Sequence, residues 1–401
     1  MLQSYVNNTQ FMQDLNIEML VEYTKSYNKT QLIMFLRKHF GEQAPFVAEQ
    51  LELFDKAKKK LPTWSANGCF FTKKSLEQCS SIPLANFKTT IVKGNILVDL
   101  SAGLGVDDMS FLKTFNQVVG VDVDDELNKL VRHNFEKLNL KNITRIDATA
   151  EMFLQENKLP VDVYYIDADR RPSGLNKTFS LIDATPNVLE LVPQLLKYDS
   201  EVLLKLSPMV DIAYLFKVFT NIKRVYVVGL KNEVKEVLVL LNQKFKSDPN
   251  QIEAVQVNDE GETEFSFSPQ STPKHKMVNS EACFFYEPSN MIIKAGLSTN
   301  YASYLSLNIV NKNSHYATGK WVDDYFGRRF KIVHQAEFNK SGIKQYLKIV
   351  DLSKANVSAR NFVSTVDEIR KTFLIEDGGD DFLFFTQDAS KNKLFWHCVK
   401  T

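Results

Sequence analysis

The 401-residue sequence predicts an α/β protein built on a Rossmann-like, doubly wound sheet, with a helical domain before it and small α+β domains after it. Three observations carry this expectation. Strand, glycine turn, helix and second strand follow one another in NILVDLSAGLGVDDMSFLKTFNQVVGVDVDD, from Asn95 to Asp125. Short apolar runs then alternate with amphipathic stretches as far as Leu241, the pattern of strands joined by helical crossovers. A polar stretch from Phe245 to Lys276, with Pro249, Pro269 and Pro273, closes the series and marks a boundary.

Residues 1–60 show apolar residues at helical spacing, as in Met19, Leu20 and Tyr23, and in Leu32, Phe35 and Leu36. Val47, Leu51 and Phe54 share one face of the next segment, and the run Lys56 to Lys60 suits a solvated helix end. In the central stretch, Ile96 to Val98 lead to Asp99, and the turn Ser101-Ala102-Gly103-Leu104-Gly105 leads into a helix expected through Lys113. A second run, Val118 to Val121, ends at Asp122. Glycines let the backbone approach a ligand closely, and an acid at the second strand's end accepts hydrogen bonds from both hydroxyls of a ribose. A dinucleotide fits less well. The third glycine is replaced in Val106-Asp107-Asp108, and Asp99, Asp107 and Asp108 set negative charge where a pyrophosphate must lie. A cationic ligand without phosphate suits these carboxylates better, and S-adenosylmethionine is one.

D-L-S-A-G-L-G at 99–105 followed by V-V-G-V-D at 118–122 resembles the cofactor motif of class I S-adenosylmethionine-dependent methyltransferases. The resemblance implies S-adenosyl-L-methionine as cofactor, with Asp99, Ser101, Gly103, Gly105 and Asp122 in its site. ELNKLVRHNFEKLNL reads as the next helix and ITRIDATAEMF as a third strand ending near Asp147. In the family a residue at that point contacts the adenine amino group, so Asp147 and Ala148 are expected at the base pocket. A lone acid after a strand also suits a helix cap.

The fourth strand, Val161 to Ile166, ends in Asp167-Ala168-Asp169-Arg170-Arg171-Pro172. Amino-methyltransferases carry an [N/D]-P-P-[Y/F/W] loop here, which binds the target amine and turns its lone pair toward the methyl group. Methyl transfer is an in-line displacement, so positioning supplies much of the catalysis. A related subgroup reads D-P-A-R-R; this chain keeps Asp167, Arg170 and Arg171 but has Ala168-Asp169 in place of Pro-Ala. Losing the proline loosens the loop, and Asp169 adds a carboxylate. The resemblance thus makes Asp167, Asp169, Arg170 and Arg171 the expected catalytic set, with Asp167 orienting an amine and the arginines holding a phosphate. An internal salt-bridge cluster is the alternative. A cysteine nucleophile for carbon-5 methylation is disfavoured, because no cysteine lies between Cys79 and Cys283.

F-T...S-L-E-Q-x-S-S at 71–81 and LKLSPMVDI at 204–212 also resemble that subgroup, whose members carry a C-terminal THUMP-like domain. The match places Glu77 and Gln78 as a lid or pocket wall and Lys205 at the active-site rim; capping and packing are the plain alternatives. Leu181 to Tyr198 is expected as a helix despite Pro186 and Pro193, and Glu201 to Met209 as the fifth strand. Arg224 to Gly229 and Glu236 to Leu241 are too close for a parallel crossover, so they pair antiparallel and complete a seven-stranded methyltransferase sheet. CFFYEPSNMIIKAGL and NYASYLSLNIVNKNSHYATGK resemble a ferredoxin-like module. FGRRFKIVHQAEFN, SARNFVSTVDEIRKTF and DGGDDFLFFT resemble the THUMP-like domain. The expected domains are 1–90 (helical), 91–273 (methyltransferase), 274–325 (ferredoxin-like) and 326–401 (THUMP-like).

Composition bounds the function. Hydrophobic content of 44% and charged content of 24% fit a soluble globular chain, and no apolar run approaches the ~20 residues of a membrane span. The first residues lack a signal-like core, so a cytoplasmic protein is expected. Four cysteines without a C-x-x-C pair disfavour structural zinc and a disulfide framework, and no metal is expected. Residues 1–94, 95–273 and 274–401 carry net charges of +4, −8 and +5, which lets basic flanks contact a phosphate backbone around an acidic centre. Together with the THUMP-like resemblance this implies RNA, a tRNA foremost, methylated at a base nitrogen. Arg328, Arg329, Lys331 and Arg360 are the expected RNA contacts. The alternatives are a non-catalytic RNA-binding protein that keeps the fold, and a small-molecule methyltransferase.

Overall fold

The apolar runs of residues 94–241 form strands β1 (Gly94–Asp99), β2 (Phe115–Asp122), β3 (Ile143–Asp147), β4 (Val163–Asp167), β5 (Glu201–Leu206), β6 (Ile222–Leu230) and β7 (Glu233–Leu241). Their order in the sheet is β6-β7-β5-β4-β1-β2-β3. Strands β1 to β5 are parallel, with Val98 beside Val119 and Tyr164, and β7 runs antiparallel to β5. Helices cover parallel strands on both faces, which is why these strands read as unbroken apolar runs. Leu97, Val98, Val118, Leu203 and Leu204 are all fully buried, each stabilising the fold by about 1.5–3 kcal/mol relative to exposure.

A computed structural model describes residues 9–157, 159–170, 181, 184–269 and 282–401. It divides into two compact units. The first comprises Met1–Leu230, Lys235–Gln251 and Val257–Glu264. Its N-terminal helices are α1 (Thr9–Asp14), α2 (Ile17–Thr24), α3 (Lys29–Phe40), α4 (Ala44–Lys60), α5 (Pro62–Ala66), α6 (Lys73–Gln78) and α7 (Ile82–Ile91). Along the sheet follow α8 (Val106–Phe111), α9 (Asp125–Lys137), α10 (Ala150–Glu156), α11 (Val188–Leu195) and α12 (Ile212–Val218). Phe46, Trp64, Phe70 and Phe71 from the N-terminal segment share one core with Leu104, Val106, Leu130 and Phe135 beside the glycine turn.

Two expected helices are shorter than their patterns. The segment after Gly105 stops at Phe111 rather than Lys113. The helix expected from Leu181 begins only at Val188, because Pro186 supplies no N–H and holds Thr185 extended. Ala184–Thr185 instead pair with Asp169–Arg170 in a two-residue ladder.

His133 on α9 is buried, stacks on Phe70 at 5.2 Å, and neither ring nitrogen has a hydrogen-bond partner. Burial, aided by Lys137, lowers its pKa to about 4. The folded state therefore takes up its proton later than the unfolded chain. The stability tied to a neutral His133 is present above the ordinary histidine pKa and is lost as pH falls from about 6.5 toward 4. His133→Phe keeps the stack and removes the orphan nitrogens. It should raise the melting temperature by a few degrees and flatten that acid limb in thermal melts.

The second unit comprises Lys231–Val234, Ile252–Gln256 and Phe265–Thr401. The division falls within two strands, Ile252–Val257 and Thr263–Phe267. Beyond them lie β8 (Phe284–Pro288), β9 (Asn308–Ile309), β10 (Ala317–Gly319), β11 (Gly327–Glu337), β12 (Asn356–Ala359), β13 (Asp381–Gln387) and β14 (Lys393–Lys400). One sheet takes them in the order β9-β10-β8-β11-β14-β13-β12, so strands from both sides of residue 325 share it. Helices α13 (Asn290–Lys294) and α14 (Ser298–Tyr304) precede β9. Helices α15 (Lys340–Ile349) and α16 (Val366–Phe373) bury Ile343, Leu347, Ile369 and Phe373 against Leu383, Phe385 and Phe395.

Candidate active site

The chain leaves β1 toward β2 and β3, then crosses to β4 on the other side of β1. The carboxyl ends of β1 and β4 therefore flank the reversal of strand order, where open α/β sheets bind ligands. Gly103 and Gly105 follow β1 with φ of +48° and +83°, the left-handed region that favours glycine. A Cβ on Gly105 would also lie 2.6 Å from Cζ of Phe135. The Gly103 N–H donates to Oδ2 of Asp122 at 2.9 Å and the Asp124 N–H to its Oδ1 at 3.0 Å. These bonds fix the carboxylate at the end of β2, and Val123 beside it is 71% exposed. Ser101 ties the two strand ends together. Its N–H and hydroxyl donate to Oδ1 of Asp99 at 2.8 and 2.9 Å, and its Oγ accepts the Asp167 N–H at 2.6 Å.

Below the turn lies a buried ionic layer. Arg145 from β3 donates to the Gly103 carbonyl at 2.8 Å and to Oδ1 of Asn128 at 3.0 Å, and pairs with Oδ2 of Asp108 at 3.2 Å. Burial raises Asp108 to about 6 despite Arg145, and burial with Asp108 nearby raises Asp99 well above the usual carboxylate range. A Cβ on Gly120 would lie 2.5 Å from Oδ2 of Asp108 and 2.9 Å from Nη1 of Arg145, so this glycine makes room for the ion pair.

A second set supports Asp167. Lys205 Nζ, from β5, donates to Oδ2 of Asp167. Burial opposes the charge on Lys205, but Asp167, Asp107 and Glu236 outweigh it and raise its pKa. Lys88 is fully buried, 3.1 Å from Asp107 Oδ1, 3.1 Å from Glu236 Oε2 and 3.2 Å from Ser80 Oγ. Asp107 Oδ2 accepts from the Ser80 hydroxyl at 2.7 Å and the Tyr165 hydroxyl at 3.0 Å. Burial alone would raise Asp107, but Lys88 and Lys205 hold it below its ordinary value; for Glu236 burial prevails and the value is raised.

Other expected site residues have different surroundings. Asp147 accepts from Nη2 of Arg132 at 2.8 Å on both oxygens, and the Ala148 N–H donates to the Asp122 carbonyl at 3.2 Å. Glu77 and Gln78 are exposed at the end of α6, with Glu77 3.9 Å from Lys56. Helix α6 opens on a capping box between Thr72 and Ser75, so part of the F-T...S motif is a helix cap. Asp169 and Arg170 are placed by backbone only, in the two-residue ladder, and Arg171 lies outside the described residues. In the second unit, Arg328 and Arg360 both pair with the buried Glu287, the latter at 2.6 Å. Arg329 donates to the carbonyls of Val322 and Asp323 and lies 4.6 Å over Trp321; Lys331 is exposed. Sequence reasoning missed Lys88, Arg145 and Glu236. The one signal was a charged residue standing alone among apolar neighbours, as in IPLANFKTTI.

The donor set fits S-adenosylmethionine. A rigidly held carboxylate at the end of β2 suits a ribose, an exposed valine beside it suits a base, and the glycine turn lies among carboxylates suited to a cation. Among the described residues no group of three or more His, Cys, Asp or Glu is placed to hold a metal, and no helix is long and apolar enough to cross a membrane.

Comparison with known proteins agrees. Residues 327–400 match the family model described as THUMP domain-like. An uncharacterized S-adenosylmethionine-dependent methyltransferase of Mycobacterium tuberculosis is 22% identical over 342 residues, 84% of this chain and 90% of the relative. The crystal structure of a candidate methyltransferase from Porphyromonas gingivalis W83 superposes with a TM-score of 0.82 at 26% identity, over 96% of this chain and 97% of that one. The reversed strand order around a glycine turn, and relatives that share it over most of their length, make this chain a class I S-adenosylmethionine-dependent methyltransferase with a THUMP-like domain at its C-terminal end.

Proposed function

We propose that this is a cytoplasmic enzyme that methylates a base nitrogen of structured RNA, with transfer RNA the first substrate to test. The observation that carries the reading is Asp167, an acid at the carboxyl end of β4 anchored through its N–H to Ser101 and through its carboxylate to Lys205. A carboxylate there accepts an N–H from an exocyclic or ring amine and turns the nitrogen lone pair toward the cofactor. S-adenosylmethionine supplies an activated methyl group when bound. Asp122 takes the ribose hydroxyls, Val123 packs on the base with Asp147 and Ala148 at its edge, and Asp99, Ser101, Gly103 and Gly105 shape the remainder. Asp169, Arg170 and Arg171 continue the loop toward the acceptor, with Glu77 and Gln78 as a wall. A target base within a helix must be flipped out to reach Asp167.

RNA is favoured by the THUMP domain-like match and the basic C-terminal segment. Among the proposed contacts, Lys331 and the half-exposed Arg328 are the most available for phosphate. Arg360 and Arg329 contribute less, because Glu287 and backbone carbonyls already engage them.

The test is transfer of a tritiated methyl group from S-adenosylmethionine to unmodified RNA pools. Label that ribonuclease releases supports the reading. Asp122→Ala should weaken cofactor affinity at least tenfold in calorimetry, since hydrogen bonds to a charged group contribute about 1.5–3 kcal/mol. Cofactor binding without label in any RNA would overturn the RNA assignment.

A further inference from the structure

We infer that Asp108 is a positioning residue for the cofactor: it shares one proton with Asp99, and a cationic cofactor on the glycine turn drives that proton off. The inference rests on the assignment of S-adenosylmethionine to this site. Asp108 lies in the first turn of α8 and is fully buried. Its Oδ2 faces Arg145, while its Oδ1 is buried with no donor. The group across from it is Asp99, almost as buried, whose Oδ1 already takes both donors of Ser101. The two carboxyls hydrogen-bond to each other. Two ionised carboxylates have no hydrogen to share, so one proton lies between them.

Charge balance explains why the proton stays. Arg145 from β3 answers Asp108, Lys88 from α7 answers Asp107 and Glu236, and Lys205 from β5 answers Asp167. Tyr165 from β4 faces the same layer, and burial holds its hydroxyl protonated. Asp99 alone has no cation. The cofactor's sulfonium and ammonium groups supply one, favouring the ionised form and releasing the proton to solvent. Asp108 acts through its neighbours: it orients Asp99, and through Arg145 it holds the carbonyl of Gly103, whose N–H fixes Asp122.

The proton comes off the pair as a unit. Where the pair is protonated before binding, affinity rises with pH, by up to about tenfold per pH unit for one proton released. The window extends upward from about pH 6, the value to which burial pushes Asp108.

The test is calorimetric titration of the full-length protein with S-adenosylmethionine at pH 7 in phosphate and in Tris, whose ionisation heats differ. The wild type should release about one proton more than Asp108→Asn, whose amide donates to Asp99 without a shared proton. Equal release by the two proteins, or a wild-type affinity that does not rise between pH 6 and 8, would overturn the inference. The wild-type pH series decides alone if the variant does not fold. Absence of binding in every buffer would instead remove the cofactor assignment, and this inference with it.

Discussion

Lys88→Met should cost the fold about 3–5 kcal/mol, read as a fall of roughly ten degrees or more in melting temperature or a matching loss in urea. The ammonium is wholly buried and reaches two carboxylates, each at 3.1 Å, as well as the Ser80 hydroxyl. Methionine fills the volume of the stem but leaves Asp107 and Glu236 in a low-dielectric interior without their cation. Breaking one side of a buried pair is far more costly than omitting the pair. Glu236→Gln added to Lys88→Met should therefore recover part of the loss. A single variant within 1 kcal/mol of the wild type would show that water reaches this layer.

Which parts of this site could be read from the sequence follows from how local their causes are. The ends of β1 and β2, the turn between them and Asp122 were legible because each depends on neighbours within a few residues. Strands buried on both faces must be apolar throughout, and left-handed turns favour glycine. The order of strands followed from crossover length. What stayed hidden is what the fold joins from afar. Lys88, Asp107 and Glu236 come from three elements, and nothing local to IPLANFKTTI or EVKEVLVLL names their partners. Asp147 looked open to adenine, yet Arg132 one helix earlier holds both its oxygens. Arg328 and Arg360 read as surface cations. Only the register of β8 against β11, with Glu287 opposite Arg328, discloses the buried glutamate between them. Pro186 should have ended the helix expected from Leu181, since apolar periodicity cannot outweigh a missing N–H and a restricted neighbour.

Asp167→Asn should lower single-turnover methyl transfer at least a hundredfold while S-adenosylmethionine affinity stays within about threefold. Asparagine keeps the size of the side chain and leaves the backbone N–H on Ser101 Oγ at 2.6 Å, so the ends of β1 and β4 stay joined. It removes the charge that meets Lys205 and that accepts the acceptor's N–H. Lys205 retains Asp107 and Glu236 as electrostatic partners, so the variant should fold. Oriented contact between reacting groups accounts for about a hundredfold in rate even for a 1 Å misplacement. Loss of the group that orients the amine belongs to the same scale. Because Asp122 and the glycine turn are untouched, the effect must fall on transfer and not on cofactor binding. A variant that transfers methyl groups within tenfold of the wild type would move the acceptor role from Asp167 to the loop that follows it.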